Sequence, residues 1–138
     1  MDFTVNFAAI NLLVVFGATV AANLLGGVWY SPLLFSKPWR AANKMGPSTG
    51  DMGGSVGVFI SSFVLHLLSA SMLAALLGPS AGAQDGMRLG ALIGVVFVFA
   101  AMGSTNLFER RPITLILINS GYHVVSLCLM GFIIGTWG

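Results

Sequence analysis

Charge is what this sequence has least of. Asp, Glu, Lys and Arg make up 7% of its 138 residues, where an ordinary soluble domain carries about 25%. Hydrophobic residues make up 57%. A soluble domain of this length has nowhere to hide so much apolar surface, so lipid must be part of the solvent. Cysteine is nearly absent: Cys128 stands alone in an apolar run, which excludes an intrachain disulfide and reads as a small buried hydrophobe. The formal net charge of +2 rests on six basic and four acidic residues. That is too little for a nucleic-acid surface. No hydrolase, kinase, dehydrogenase or zinc signature is present, and the chain does not read as an enzyme.

Long apolar runs are what the chain does have. About 20 apolar residues at 1.5 Å each cross roughly 30 Å of hydrocarbon. Four stretches qualify: residues 5–29, 56–78, 86–107 and 113–137. None contains Lys, Asp or Glu, and Arg88 sits where it can snorkel to the interface. The start Met1-Asp2-Phe3 has no basic residue before its long apolar run, so that run reads as a span and not as a signal peptide. The expected fold is an all-α bundle of four transmembrane helices forming a single domain.

The connections differ. Gly78-Pro79-Ser80 reads as a helix stop before a short turn to Asp85, and Glu109-Arg110-Arg111-Pro112 as a tight solvated turn. Residues 30–46 are longer and read as an interfacial segment. Ser36 would cap a short helix with Pro38 in its first turn, ending at Gly46-Pro47, and Trp29, Tyr30 and Trp39 would anchor it among the headgroups. Pro47 to Gly54 is Gly/Ser-rich and reads as a flexible tether. Lys37, Arg40, Lys44, Arg110 and Arg111 fall on one side of the membrane and Arg88 on the other. The positive-inside rule then puts both of those connections in the cytoplasm and both termini outside, in a bacterial inner membrane.

The second and fourth runs align without gaps, His66 on His123, Ser69 on Ser126 and Gly78 on Gly135. The first and third align more weakly, Phe16 on Phe99 and Asn23 on Asn106. This is the pattern of a tandem two-helix repeat with an insertion in its first copy. Both histidines then lie near the bilayer midplane, where ionisable groups face the protein interior. His66 and Ser69, with Asn119, Tyr122, His123 and Ser126, form a polar intramembrane set. Asn119, His123 and Ser126 recur at i, i+4 and i+7 on one helix face. Such a set could line a solute path, bind a ligand, or lock helices together. Two imidazoles without a carboxylate or thiolate make a poor metal site, so no metal is expected. Haem b held axially by His66 and His123 is the one cofactor the pair could take. Asn23 and Asn106 lie too near the span ends to reach the histidines. Small residues recur every four positions: Ala18, Ala22 and Gly26; Gly86, Gly90 and Gly94; Gly131 and Gly135. They permit close helix packing, within the chain or between copies.

Two stretches resemble a known bacterial family. They are Trp29-Tyr30-Ser31-Pro32-Leu33-Leu34-Phe35-Ser36-Lys37-Pro38-Trp39, and Leu107-Phe108-Glu109-Arg110-Arg111-Pro112 followed by Leu117-Ile118-Asn119-Ser120-Gly121-Tyr122-His123. Both look like the membrane proteins called domain of unknown function 1761 (DUF 1761), whose members often carry Gly where this chain has Ser36. The resemblance covers nearly the whole chain and implies a small four-span membrane protein. It brings no activity and no catalytic residues. The expectation is an accessory or structural membrane component, a homo-oligomer or a subunit of a larger complex, whose first partner is the lipid bilayer. A channel or transporter for a small solute, and a bis-histidine haem electron-transfer protein, are the alternatives.

Overall fold

The structure, a computed structural model, describes residues 5–44 and 55–138. Five helices follow in order: α1 (Leu12–Trp29), α2 (Ser36–Ala42), α3 (Ser55–Leu77), α4 (Ala83–Phe108) and α5 (Ile113–Trp137). All but α2 are long and apolar enough to cross a membrane. No strand occurs among the described residues. The chain is an all-α, multi-pass membrane protein.

Several boundaries differ from the sequence reading, each for a local reason. The first span starts at Leu12 and not at Val5, because Asn11 caps it: its side chain accepts from the Val14 N–H at 3.4 Å. Asn6 makes a similar turn upstream, accepting from the Ala8 N–H at 3.1 Å. The remaining helix is about 27 Å long at 1.5 Å per residue. The third span begins at Ala83, ahead of Gly86, since Asp85 reaches back to the Gly82 N–H at 3.4 Å and sits in the first turn, where the helix dipole favours an acid. The interfacial helix begins after Phe35, so Ser36 is its first residue and provides no side-chain cap. It closes at Ala42. The Gly46-Pro47 stop and the Gly/Ser-rich tether lie outside the described residues.

The two tight turns form as their residues dictate. Gly78 takes φ +73°, the left-handed conformation that ends α3. At the other end of the bundle Arg110 takes φ +56°, and the Arg111 and Arg110 N–H groups return to Asn106 and Leu107 carbonyls at 2.9 and 3.1 Å. This satisfies the last carbonyls of α4 with a non-glycine residue in the strained position. Glu109 and Arg111 pair at 3.4 Å with both side chains about half exposed, a weak solvated contact. Arg111 also donates to Asn43 at 3.4 Å. That contact puts α2 and the 109–112 turn at the same, basic end of the bundle.

Helix α5 is the axis on which the other spans pack, and it is the most buried of the four. Its closest neighbour is α4. A Cβ added at Gly86 would land on the Gly131 carbonyl, one at Gly90 on the Leu127 carbonyl, and one at Gly135 on the Gly82 carbonyl. Gly94 lies against Val124. Backbone therefore meets backbone along this seam, an approach only glycine allows. Ala18 and Ala22 of α1 are fully buried, and with Val15, Ala70, Leu73, Leu127, Met130 and Ile134 they make the apolar core between α1, α3 and α5. The small-residue stripes are thus consumed inside one chain.

Near its middle α4 departs from α-helical winding. Ile93–Phe99 forms a π-helical stretch. In an α-helix residues five apart stand about 140° apart around the axis. The wider π turn brings i and i+5, here Ile93 and Val98, toward one face. The β-branched and aromatic run Ile93-Gly94-Val95-Val96-Phe97-Val98-Phe99 gave no warning of this.

The seam makes a direct demand on size. Gly90→Leu is expected to lower stability by about 3 kcal/mol through overpacking. Gly103→Ala, with nothing within 4 Å of the added carbon, should raise it by about 0.5–1 kcal/mol through helix propensity. Thermal unfolding followed by circular dichroism in mild detergent measures both.

Candidate functional site

The polar intramembrane residues fall into two groups along α5. The first lies at the basic end. Trp29 and Tyr30 close α1, and Trp39 sits on α2. Their polar atoms turn inward: Tyr30 donates its hydroxyl to Asn119 Oδ1 at 2.7 Å, Trp39 donates Nε1 to the same oxygen at 3.1 Å, and Trp29 donates Nε1 to the Ile118 carbonyl at 2.9 Å. The rings pack on one another, Trp29 tilted against Phe35 at 4.8 Å and Tyr30 edge to face with Trp39 at 5.5 Å. These three aromatics were expected to be headgroup anchors. They are half-buried and pin α1 and α2 onto α5, because an indole or phenol beside helix ends finds a fixed acceptor there. Burial, and secondarily the neighbouring Tyr122, push the Tyr30 phenol up to about 12, so it stays a donor. Asn119 is an acceptor for two side chains, which sequence spacing could not show.

The second group lies at mid-span. His66 is the central residue of α3. Its Nδ1 is 3.3 Å from Ser62 Oγ and its Nε2 is 3.2 Å from Tyr122 Oη. Tyr122 donates its hydroxyl to the Ala22 carbonyl at 2.8 Å. One assignment satisfies every atom: Ser62 donates to Nδ1, Nε2–H donates to Tyr122, and Tyr122 donates to Ala22. This chain ties α3, α5 and α1 together. Gly26 makes room for it, since a Cβ there would fall 2.9 Å from the Tyr122 oxygen.

His123 stands beside this chain. Its ring centroid is 6.5 Å from that of His66 and tilted by 34°. The two imidazoles expected at one depth are therefore neighbours. Their partners differ, because the described residues offer the His123 ring no hydrogen bond. Ser126 is buried, and its hydroxyl also has no partner. Ser69 is exposed on α3, at the edge of the space that His66 and His123 border. Asn23 and Asn106 donate to the carbonyls of their own helices, Thr19 and Met102, at 2.9 and 2.7 Å, away from the histidines. Among the described residues no three His, Cys, Asp or Glu side chains group as metal ligands.

Two chambers follow from this arrangement. One, of about 360 Å³, lies between α3, the π turn of α4 and α5, and is lined by His66, Ser69, His123 and Ser126 among apolar side chains. The other, of about 440 Å³, lies toward the basic end and is lined by Asn23, Tyr30, Trp39, Ser62, Asn119 and Tyr122. The hydrogen-bonded His66–Tyr122 pair forms the wall between them. Sequence reasoning missed Ser62, whose place four residues before His66 was the available signal.

A four-span bundle with a polar interior defines a small multi-pass membrane protein. The chain belongs to the family described as Protein of unknown function (DUF1761), whose model matches residues 13–135. No curated protein and no solved structure matches it.

Removing the shared acceptor tests the basic-end network. Asn119→Leu strands the Tyr30 and Trp39 donors and is expected to cost about 2–3 kcal/mol, read as a lowered midpoint of thermal unfolding. With Tyr30 titrating near 12 when folded and near 10 when unfolded, the unfolded chain loses its proton first. Stability is then retained below about pH 10 and falls between about pH 10 and 12. A pH series of unfolding curves on wild type and Tyr30→Phe isolates that contribution, which the variant should lack.

Proposed function

We propose that this protein is a membrane-embedded binding component, in which an otherwise self-satisfied bundle holds a small molecule in the mid-span chamber. One observation carries the reading: the chamber has room for a ligand, and among the described residues the buried Ser126 hydroxyl and the His123 ring on its wall have no hydrogen-bond partner. Ligand pockets are mostly apolar with a few convergent polar groups, and this chamber has that composition. A purely structural role asks for polar atoms that are used up in helix contacts, as the Asn119 Oδ1 and the Tyr122 hydroxyl are. Haem b asks both histidines to turn on one iron, whereas His66 already has both ring nitrogens engaged.

Transport of a small solute is the second reading. Its support is the thin wall between the chambers, a single hydrogen-bonded pair. We place the basic end in the cytoplasm of a bacterial inner membrane and both termini outside, from the five-to-one distribution of basic residues. Assembly as a homo-oligomer or in a larger complex has less support than the small-residue stripes first offered, because those stripes pack within the chain.

Cysteine labelling in native membranes separates the readings. In a Cys128→Ala background, Ser126→Cys, Asn119→Cys and the exposed control Ser69→Cys are treated with a neutral, lipid-soluble maleimide and a charged methanethiosulfonate. The binding reading expects Ser126→Cys to react with the neutral reagent and resist the charged one. Transport expects the charged reagent to reach both Asn119→Cys and Ser126→Cys. A structural role leaves Ser126→Cys unreactive to both while Ser69→Cys reacts.

A further inference from the structure

Buried hydroxyls in this bundle follow a rule. Thr19 and Ser120 are buried and donate to the carbonyl four residues back, in Val15 and Ile116, and Ser71, half-buried, does the same to Leu67. That is how a Ser or Thr satisfies itself in a helix surrounded by hydrocarbon. Ser126 breaks the rule. It is 1% exposed, its Oγ makes no hydrogen bond among the described residues although the Tyr122 side chain lies near it, and it lines the mid-span chamber. His123, one turn earlier on the same face of α5, lines the same chamber with no hydrogen bond among the described residues.

The mouth of the chamber says where a ligand comes from. Leu68, Ser69 and Met72 of α3 are exposed at its rim, and the π turn of α4 contributes Ile93 and Val98 opposite them. The opening thus faces sideways between α3 and α4 at the depth of His66, the centre of its span. At that depth the surrounding medium is acyl chain. Among the described residues no Lys, Arg, Asp or Glu lines the chamber. An ionised phosphate or carboxylate would enter unpaired, at a large desolvation cost.

We propose that the mid-span chamber takes a neutral, lipid-soluble molecule from the bilayer, with a compact head whose carbonyl or hydroxyl oxygen bonds to Ser126 and His123. Ser126 supplies a donor and an acceptor, and a neutral imidazole supplies one of each, so a ring carbonyl or a ring hydroxyl both find a complement. The volume of about 360 Å³ suits a substituted ring, with an apolar tail leaving past Leu68 and Met72. The inference rests on the binding reading above and names its ligand class.

The test uses the full-length protein in nanodiscs of one synthetic lipid. Three probes share a ten-carbon tail: a decyl-substituted benzoquinone, decylbenzene, and decyl phosphate. The quinone is expected to bind at least about tenfold more tightly than decylbenzene, the difference a dry hydrogen bond supports. Ser126→Ala and His123→Leu should each remove most of that preference. Ser69→Trp, at the exposed rim, should abolish quinone binding without touching either partner. Equal binding of quinone and decylbenzene, with Ser126→Cys still labelled by the neutral maleimide, overturns the head-group assignment and leaves a binding chamber. Preference for decyl phosphate overturns the neutral class. Binding of no probe, with Ser126→Cys unreactive, overturns both this inference and the reading on which it rests.

Discussion

Hydrocarbon forms no hydrogen bonds, so every polar atom this chain carries into the bilayer must be satisfied by the chain itself. That constraint orders the whole molecule. It explains the capping by Asn11 and Asp85, the folding back of Thr19, Ser71 and Ser120 onto their own helices, and the pairing of Tyr30 and Trp39 on one Asn119 oxygen. It also explains why His66 sits in a chain that accounts for both its nitrogens and for the Tyr122 hydroxyl. Against that use of the interior polar groups, the buried Ser126 hydroxyl and the His123 ring beside it carry information, since neither makes a hydrogen bond among the described residues.

Packing supplies the other half of the design. Between helices in lipid there is no hydrophobic drive to associate, so close contact and polar pairing must hold them. The α4–α5 seam provides the contact, backbone against backbone at Gly86, Gly90 and Gly131. The aromatic cluster of α1 and α2 provides the pairing at the basic end. Between these two fixed regions, α3 touches α4 only sparsely, and the π turn widens α4 where it faces that gap. The chamber is what remains when α5 is tightly held on one side and α3 is held mainly through His66 and the apolar core.

The spans were legible because their signal is composition over about 20 residues, which the bilayer reads in the same way. The stop at Gly78, the turn at residues 109–112 and the presence of a short helix around Pro38 were legible because they are local backbone chemistry. The start of the first span was misplaced because apolar composition runs on past Asn11, while the cap depends on a single side chain meeting one N–H. Within the candidate site the residue types and depth of His66 and His123 could be read in advance. That His66 has both nitrogens hydrogen-bonded while His123 meets its neighbours only ring to ring could not, since Ala22 and Tyr122 are 100 residues apart.

The sequence by itself determined the solvent this protein lives in, the number of crossings, the small residues available for close approach, and the few polar groups taken into the membrane. Those depend on residue type and short-range spacing. Only the tertiary structure decided that the glycine stripes meet within one chain, that Trp29, Tyr30 and Trp39 turn inward, and that a π turn in α4 opens a chamber beside Ser126 and His123. Each depends on which helix lies against which, and that is settled by side chains far apart in sequence competing for the same few partners in a medium that supplies none.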